Sequence, residues 1–151
     1  MGSRITLEEG AAHFARDDHS LRHLDVRVVE LETDRAVLHL MVSDRDTRVG
    51  EGARVSGPVQ MAMADVGGLF AVWTRIGYVP DIVTSNLNIH FLRACQADIL
   101  VAEGRLLKSG RMSSVADVTL TPLGADKPSS QATVTFVVPQ PSSVTPHSPT
   151  A

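Results

Sequence analysis

The stretch SGPVQMAMADVGGLFAVWTRI, Ser56 to Ile76, decides the fold. Between Gly57 and Trp73 almost every residue is apolar or small, and a single carboxylate, Asp65, sits in the middle. Pro58 suits a first helical turn, because its missing N–H would have no partner there, and Ser56 or Gly57 takes the cap position. A helix that is apolar on nearly every side must be surrounded by protein. Gly67 and Gly68 each cost about 1 kcal/mol relative to Ala in a helix interior, and one compensation is the close approach of another backbone. Gly77-Tyr78-Val79-Pro80 ends the helix.

Outward from this helix the pattern changes to strands. Upstream, Thr6-Leu7-Glu8-Glu9 has capping-box spacing and predicts a short helix to about Arg16. Two alternating runs, from Leu24 through Leu31 and from Ala36 to Val42, flank Thr33-Asp34-Arg35 and read as two strands joined by a tight turn. Ser43 to Val55 is polar and reads as a loop. Downstream come four β-rich segments, Ile82–Leu92, Ile99–Lys108, Met112–Thr121 and Gln131–Val138, whose short spacings predict antiparallel meander pairing. The expected architecture is α+β: an antiparallel sheet of about five to six strands wrapped around one long helix, in a single domain over residues 1–138. The Pro- and Ser-rich segment 139–151 reads as a disordered tail.

The chain has 151 residues and a net charge of −3, with no long basic block, which argues against general affinity for nucleic acid. No run of about 18 uncharged apolar residues offers a membrane span, and the N-terminus lacks an apolar leader core; a cytoplasmic protein is expected. The lone cysteine, Cys95, has no internal disulfide partner and no charged neighbour to activate it. His19 and His23 stand four apart without an acid between them, so no metal site is expected. Met61, Met63, Leu69, Phe70 and Trp73 either shape a pocket or, more simply, fill the core.

The order of these elements, with the residues at the helix, resembles the hotdog-fold thioesterases, and within them the phenylacetate-pathway (PaaI-like) acyl-CoA thioesterases. In that family a histidine-glycine-glycine turn opens the central helix and an acid follows eight residues after the first glycine. Here Ser56-Gly57-Pro58 stands at the turn and Asp65 lies eight beyond Gly57. Val83 to Arg93, with its phenylalanine-leucine-arginine ending, resembles the strand after the helix, and Leu107-Lys108-Ser109-Gly110-Arg111 resembles the next strand with its glycine-arginine turn. Ser56 replaces the usual histidine, Pro58 the second glycine, and Gly50 stands where many members carry an amide side chain. The similarity covers about residues 49–136.

The resemblance implies an acyl-CoA thioesterase with no cofactor, CoA being part of the substrate. Asp65 would act as general base on water or as nucleophile, and the residues leave both open. The helix start supplies donors for the oxyanion; since Pro58 has no N–H, Gly57 and Val59 are the candidates, and the family points to Gly57. Loss of one such donor typically costs about 3 kcal/mol of transition-state stabilisation. Ser56 is either an N-cap or a substrate contact, and Gln60 either orients water or faces an interface. Substrate contacts are further implied for Asn88 and for Lys108, Ser109, Gly110 and Arg111 near the mouth of the CoA site, where Arg93 and Arg105 complete a loose basic set; the alternative for the turn is a solvated strand edge.

Eight residues of helix separate Gly57 from Asp65 by about 12 Å, so one helix cannot easily present both to one carbonyl. The family solves this with a two-fold dimer, one chain giving the helix start and the other the acid. A homodimer, or a dimer of dimers as a homotetramer, is therefore expected. Two other classes stay open at this stage: a non-catalytic acyl-CoA-binding hotdog module and a plain dimeric structural domain.

Overall fold

The computed structural model describes residues 2–48 and 52–140. Gly50 and the segment 141–151 of the expected tail lie outside the described residues. The elements in chain order are α1 (Leu7–Phe14), β1 (Asp25–Glu32), β2 (Arg35–Met41), a 3-10 turn (Asp44–Asp46), α2 (Gly57–Ile76), β3 (Val83–Phe91), β4 (Ile99–Ser109), β5 (Ser113–Pro122) and β6 (Ser130–Val137). The capping box at α1 forms as its sequence predicts: Thr6 accepts from the Glu9 N–H and Glu9 accepts from the Thr6 N–H. Within the polar segment expected as a loop, residues 43–47 form a 3-10 turn that Asp46 caps from inside, and Thr47 bridges Val55.

All six strands form one antiparallel sheet in the order β1-β2-β4-β5-β6-β3. The meander expected of the last four strands holds for β4, β5 and β6 but not for β3, which pairs with β6 at the far edge. The physical reason is α2. It lies over β4, β5 and β6, with Gly67 against Ala102 and Val118 and Gly68 against Ala116 and Phe136. Its C-terminal end stands beside the β1–β2 turn, where Arg75 pairs with Asp34; residues 77–82 then carry the chain to the far edge for β3, and residues 92–98 bring it back to the centre for β4.

One face of the sheet alternates into the core. Leu100 and Ala102 on β4, Val118 and Leu120 on β5, and Val134 and Phe136 on β6 are fully buried beneath Met63, Phe70 and Trp73 of α2. Each large side chain so placed contributes about 1.5–3 kcal/mol from area removed from water. The close approach expected at Gly67-Gly68 comes from Gly104 of β4: a Cβ there would stand 2.2 Å from the Gly67 carbonyl oxygen. At the other end of the helix, Gly77 has φ 88° and ψ 178°, a conformation open essentially to glycine alone.

Candidate active site

The start of α2 is a set of donors partly used up. Ser56 is the N-cap and its hydroxyl accepts from the Val59 N–H at 3.4 Å; its carbonyl accepts from the Gln60 N–H at 3.1 Å. Pro58 has no N–H. Among the described residues the Gly57 N–H has no acceptor, so it is the free donor at the positive end of a 20-residue helix. Gln60, one turn on, is only 5 % exposed; its Nε2 donates to the Val55 carbonyl at 3.1 Å, while its Oε1 has no partner. Because a carbonyl can only accept, this bond fixes which way the amide points.

These groups border a cleft of about 410 Å³. Gly57, Gln60 and Phe91 form part of its wall, with the Phe91 ring 3.5 Å from where a Gly57 Cβ would stand. Arg48, Arg54 and Arg93 also line it. Arg93 donates to the Pro128 carbonyl, whereas Arg48 and Arg54 have no carboxylate partner among the described residues. Cys95 borders the cleft as a buried thiol whose pKa is pushed up by burial, which keeps it an unreactive SH.

Asp65 is half-buried in the middle of α2, on the side facing β3. Its Oδ1 accepts a 2.5 Å hydrogen bond from the Thr84 hydroxyl near the start of that strand. Burial pushes its pKa above the usual carboxylate value, and the Thr84 bond, which favours the ionised form, opposes the rise. A carboxylate held partly out of water and steadied by one donor is a candidate for proton transfer.

The remaining sequence-derived residues fall elsewhere. Lys108, Ser109, Gly110 and Arg111 form the turn between β4 and β5, closed by the Gly110 N–H donating to the Ser113 carbonyl, at the opposite pole of the helix from Gly57. Arg111 is tied to Gln140, whose side chain donates to the Arg111 carbonyl at 2.6 Å. Asn88 is exposed on β3, on the face opposite Leu87 and Ile89, which turn toward the core. The basic set divides: Arg93 joins the helix-start cleft, Arg105 pairs with Glu103 at 2.6 Å, and Lys108 and Arg111 stay on the turn. Met63, Phe70 and Trp73 are core residues. His90 is exposed on β3, and His19 lies 2.9 Å from His13 rather than pairing with His23. Among the described residues no three His, Cys, Asp or Glu side chains gather as metal ligands, and no helix is long and apolar enough to cross a membrane.

Within one chain, then, the free helix-start N–H and the perturbed acid belong to the same helix but not to the same cleft. That arrangement has relatives. The family model for the thioesterase superfamily matches residues 52–127, which includes both groups. The chain belongs to the thioesterase superfamily. Among curated proteins, a candidate esterase of Saccharolobus solfataricus is 31% identical over 105 residues, covering 70% of this chain and 73% of that one. Among solved structures, a candidate thioesterase from Silicibacter sp. TM1040 superposes with a TM-score of 0.80 at 27% identity, covering 93% and 96% of the two chains. The Escherichia coli PaaI protein from the phenylacetic acid degradation operon shares the fold, with a TM-score of 0.71 at 18% identity over 89% and 97%. The sheet wrapped on α2 is thus the hotdog fold, and the chemistry of this thioesterase is thioester hydrolysis in its general form.

Three residues at the candidate site escape the sequence. Thr84 carries no signal of its own; only the strand register brings it to Asp65. Arg48 and Arg54 come from a segment that reads merely as a polar loop, and the Thr47–Val55 bridge that sets them beside the helix start joins residues too far apart for any local pattern to show.

Proposed function

We propose that this thioesterase hydrolyses acyl-CoA thioesters at two equivalent sites of a homodimer, in which Asp65 of one subunit faces the helix start of the other. The observation that carries this reading is the separation of the two groups along α2 together with the state of β3. That strand is a sheet edge, with Val83 59 % and Phe91 50 % exposed. An exposed apolar edge is a ready template for a second copy.

Antiparallel pairing of β3 with a second β3, centred between Leu87 and Asn88, sets Thr84 opposite the partner's Phe91. Thr84 holds Asp65, and Phe91 packs beside Gly57. The same two-fold that closes the sheet edge therefore brings the partner's free Gly57 N–H toward Asp65, and does so twice. It also brings the partner's helix start nearer the Lys108–Arg111 turn, which gives that turn a route to the CoA arm, with Ser109 and Gly110 presenting polar backbone and Lys108 and Arg111 charge.

The chemistry follows from the groups. The thioester oxygen accepts from the Gly57 N–H, where the helix dipole favours the negative charge that develops on it. Asp65 takes a proton from water as the water attacks the carbonyl carbon, or attacks that carbon itself to form an anhydride that water then opens. CoA leaves as the thiol after protonation. Ser56 shapes the helix start through its cap, Val59 is engaged by that cap, and Gln60 offers its unpartnered oxygen to the bound substrate or to water. No cofactor takes part in these steps. A location in the cytoplasm goes with CoA as the substrate's carrier.

Release of free thiol from a panel of acyl-CoA compounds tests the activity. Asp65→Asn is expected to lower kcat by at least about 100-fold while leaving KM within a few-fold, the pattern of a group acting in the transition state. Wild-type turnover in that variant, or a fully active monomer in sedimentation, would end the proposal.

A further inference from the structure

The cleft at the start of α2 contains more positive charge than a neutral thioester calls for. Arg48, Arg54 and Arg93 line it, no carboxylate pairs with Arg48 or Arg54 among the described residues, and the helix end adds its own partial charge. A second, independent feature marks it as built for a polar ligand. Gln60 is 5 % exposed, anchored through Nε2, and presents an Oε1 without a partner. A plain alkyl or aryl group filling the cleft would leave that buried acceptor unsatisfied.

Two parts of an acyl-CoA carry negative charge: the phosphates of CoA and, in some substrates, a carboxylate on the acyl group. Length separates them. Three chain bonds advance about 3.5 Å, so the roughly thirteen bonds from the thioester sulfur to the first phosphorus span about 15 Å. A cleft of 410 Å³ is roughly 9 Å across as a sphere, and Gly57 is in its wall. An anion held here with the carbonyl on Gly57 must lie within a few bonds of that carbonyl, on the acyl side.

We propose that this cleft is a carboxylate subsite, and that the preferred substrates are thioesters whose short acyl chain ends in a carboxylate. The proposal rests on the hydrolytic reading above and adds the class of acyl group. Arg54 and Arg48 meet the carboxylate, Arg93 backs them from its anchor on Pro128, and Gln60 accepts from a water or hydroxyl brought in with it.

The test compares adipoyl-CoA with 6-methylheptanoyl-CoA, which matches it in shape but lacks the charge. The wild type is expected to favour adipoyl-CoA by at least tenfold in kcat/KM, and the Arg48→Gln/Arg54→Gln double variant to lose that preference through a raised KM. Arg54→Lys is expected to keep most of it. The preference should persist when both acyl groups are carried on pantetheine, which lacks the nucleotide and its phosphates. Equal rates on the two substrates in the wild type, a preference unchanged in the double variant, or a preference that vanishes on pantetheine would each overturn the subsite. If neither thioester is cleaved faster by wild type than by Asp65→Asn, the hydrolytic reading falls instead. Calorimetric binding of the two uncleavable CoA thioethers to wild type and double variant then still decides the subsite: tenfold tighter binding of the carboxylate form, lost in the variant, supports it, and equal binding overturns it.

Discussion

The two ends of α2 are finished differently. At the C-terminal end the Trp73, Thr74 and Arg75 side chains all have partners. The Thr74 hydroxyl donates to the Ala71 carbonyl at 2.6 Å and accepts from the Asp34 N–H at 2.9 Å, while the Thr74 carbonyl accepts from the Arg4 N–H. The Trp73 indole donates to the Val79 carbonyl, and Arg75 pairs with Asp34 across the β1–β2 turn. At the N-terminal end, among the described residues, the Gly57 N–H, Gln60 Oε1 and Asp46 Oδ1 have no partner and Arg48 and Arg54 have no carboxylate counter-charge. Buried polar groups are ordinarily satisfied, and two of the four buried side-chain atoms without a partner among the described residues stand at this end, the other two being the Ser114 and Ser130 hydroxyls in the sheet. The closed end holds the fold, and the open end is where we propose that a substrate completes it.

The largest expected effect is at the closed end. Trp73 is 1 % exposed and packs against Phe70, Tyr78 and His13. Trp73→Ala should destabilise the protein by about 3–5 kcal/mol, read from the urea midpoint. Thiol release per folded molecule should change little. A loss of turnover comparable with that of Asp65→Asn would show that the two ends do not separate.

A matched pair of polar substitutions sharpens the contrast. Thr74→Val removes an acceptor from the half-buried Asp34 N–H and should cost about 1–3 kcal/mol. Gln60→Met removes an acceptor that has no donor, at the price of one bond to Val55, and should change stability by less than about 1 kcal/mol while impairing turnover. Equal losses of stability from the two would mean that Gln60 is satisfied within the chain, and the asymmetry would go.

A smaller effect comes from the histidines that seat α1 on the closed end. The Leu21 N–H donates to His19 Nδ1 at 3.0 Å, which leaves the His19 proton on Nε2. That proton points to His13 Nε2 at 2.9 Å, so His13 carries its own proton on Nδ1, toward the Tyr78 hydroxyl at 3.3 Å. Burial first, then the nearby His19 and Arg16, push the His13 pKa down to about 4 from an ordinary 6.5. Between those values the unfolded chain binds the proton and the folded chain does not. Stability is therefore fully present above about pH 6.5 and is lost as pH falls toward 4. The shift sets an upper limit of about 3 kcal/mol, which partial exposure to water reduces to roughly 1–2. Urea midpoints at pH 7 and pH 4.5 should show the loss, and His13→Gln should flatten it. An unchanged slope in that variant would assign the acid sensitivity to other groups.

How much of this was legible in the sequence follows from the range of the interactions. The helix was readable because its signals are local: Pro58 in the first turn, Gly77 past the end, and an apolar surface all round. The close approach at Gly67 was readable because a glycine pair inside a helix carries a cost that needs a compensation, and Gly104 supplies it. The place of β3 was not, because alternation tells a strand which face is buried but not which neighbour it takes. At the site, Asp65 stood out as a charge in an apolar run and Gly57 as the donor beside a proline. Thr84, Arg48 and Arg54 are ordinary residues for a strand end and a polar loop, and they gain their meaning only from contacts made across the fold.

Thr84 gives the smallest and most specific of these effects. The acid limb of the kcat/KM profile should lie above the ordinary carboxylate value of about 3.9, because burial raises the Asp65 pKa. The Thr84 hydroxyl donates to the carboxylate and so stabilises its ionised form. Thr84→Val deletes that donor, the proton binds Asp65 more tightly, and the acid limb should move to higher pH with the plateau rate little changed. Thr84→Ser keeps a hydroxyl at the same position and should restore the wild-type limb. The pair separates a hydrogen bond from mere packing, since a valine fills the space of a threonine while a serine does not. If the limb stays where it was in Thr84→Val, Asp65 is not the group whose ionisation controls the rate, and the open end of the helix must find its base elsewhere.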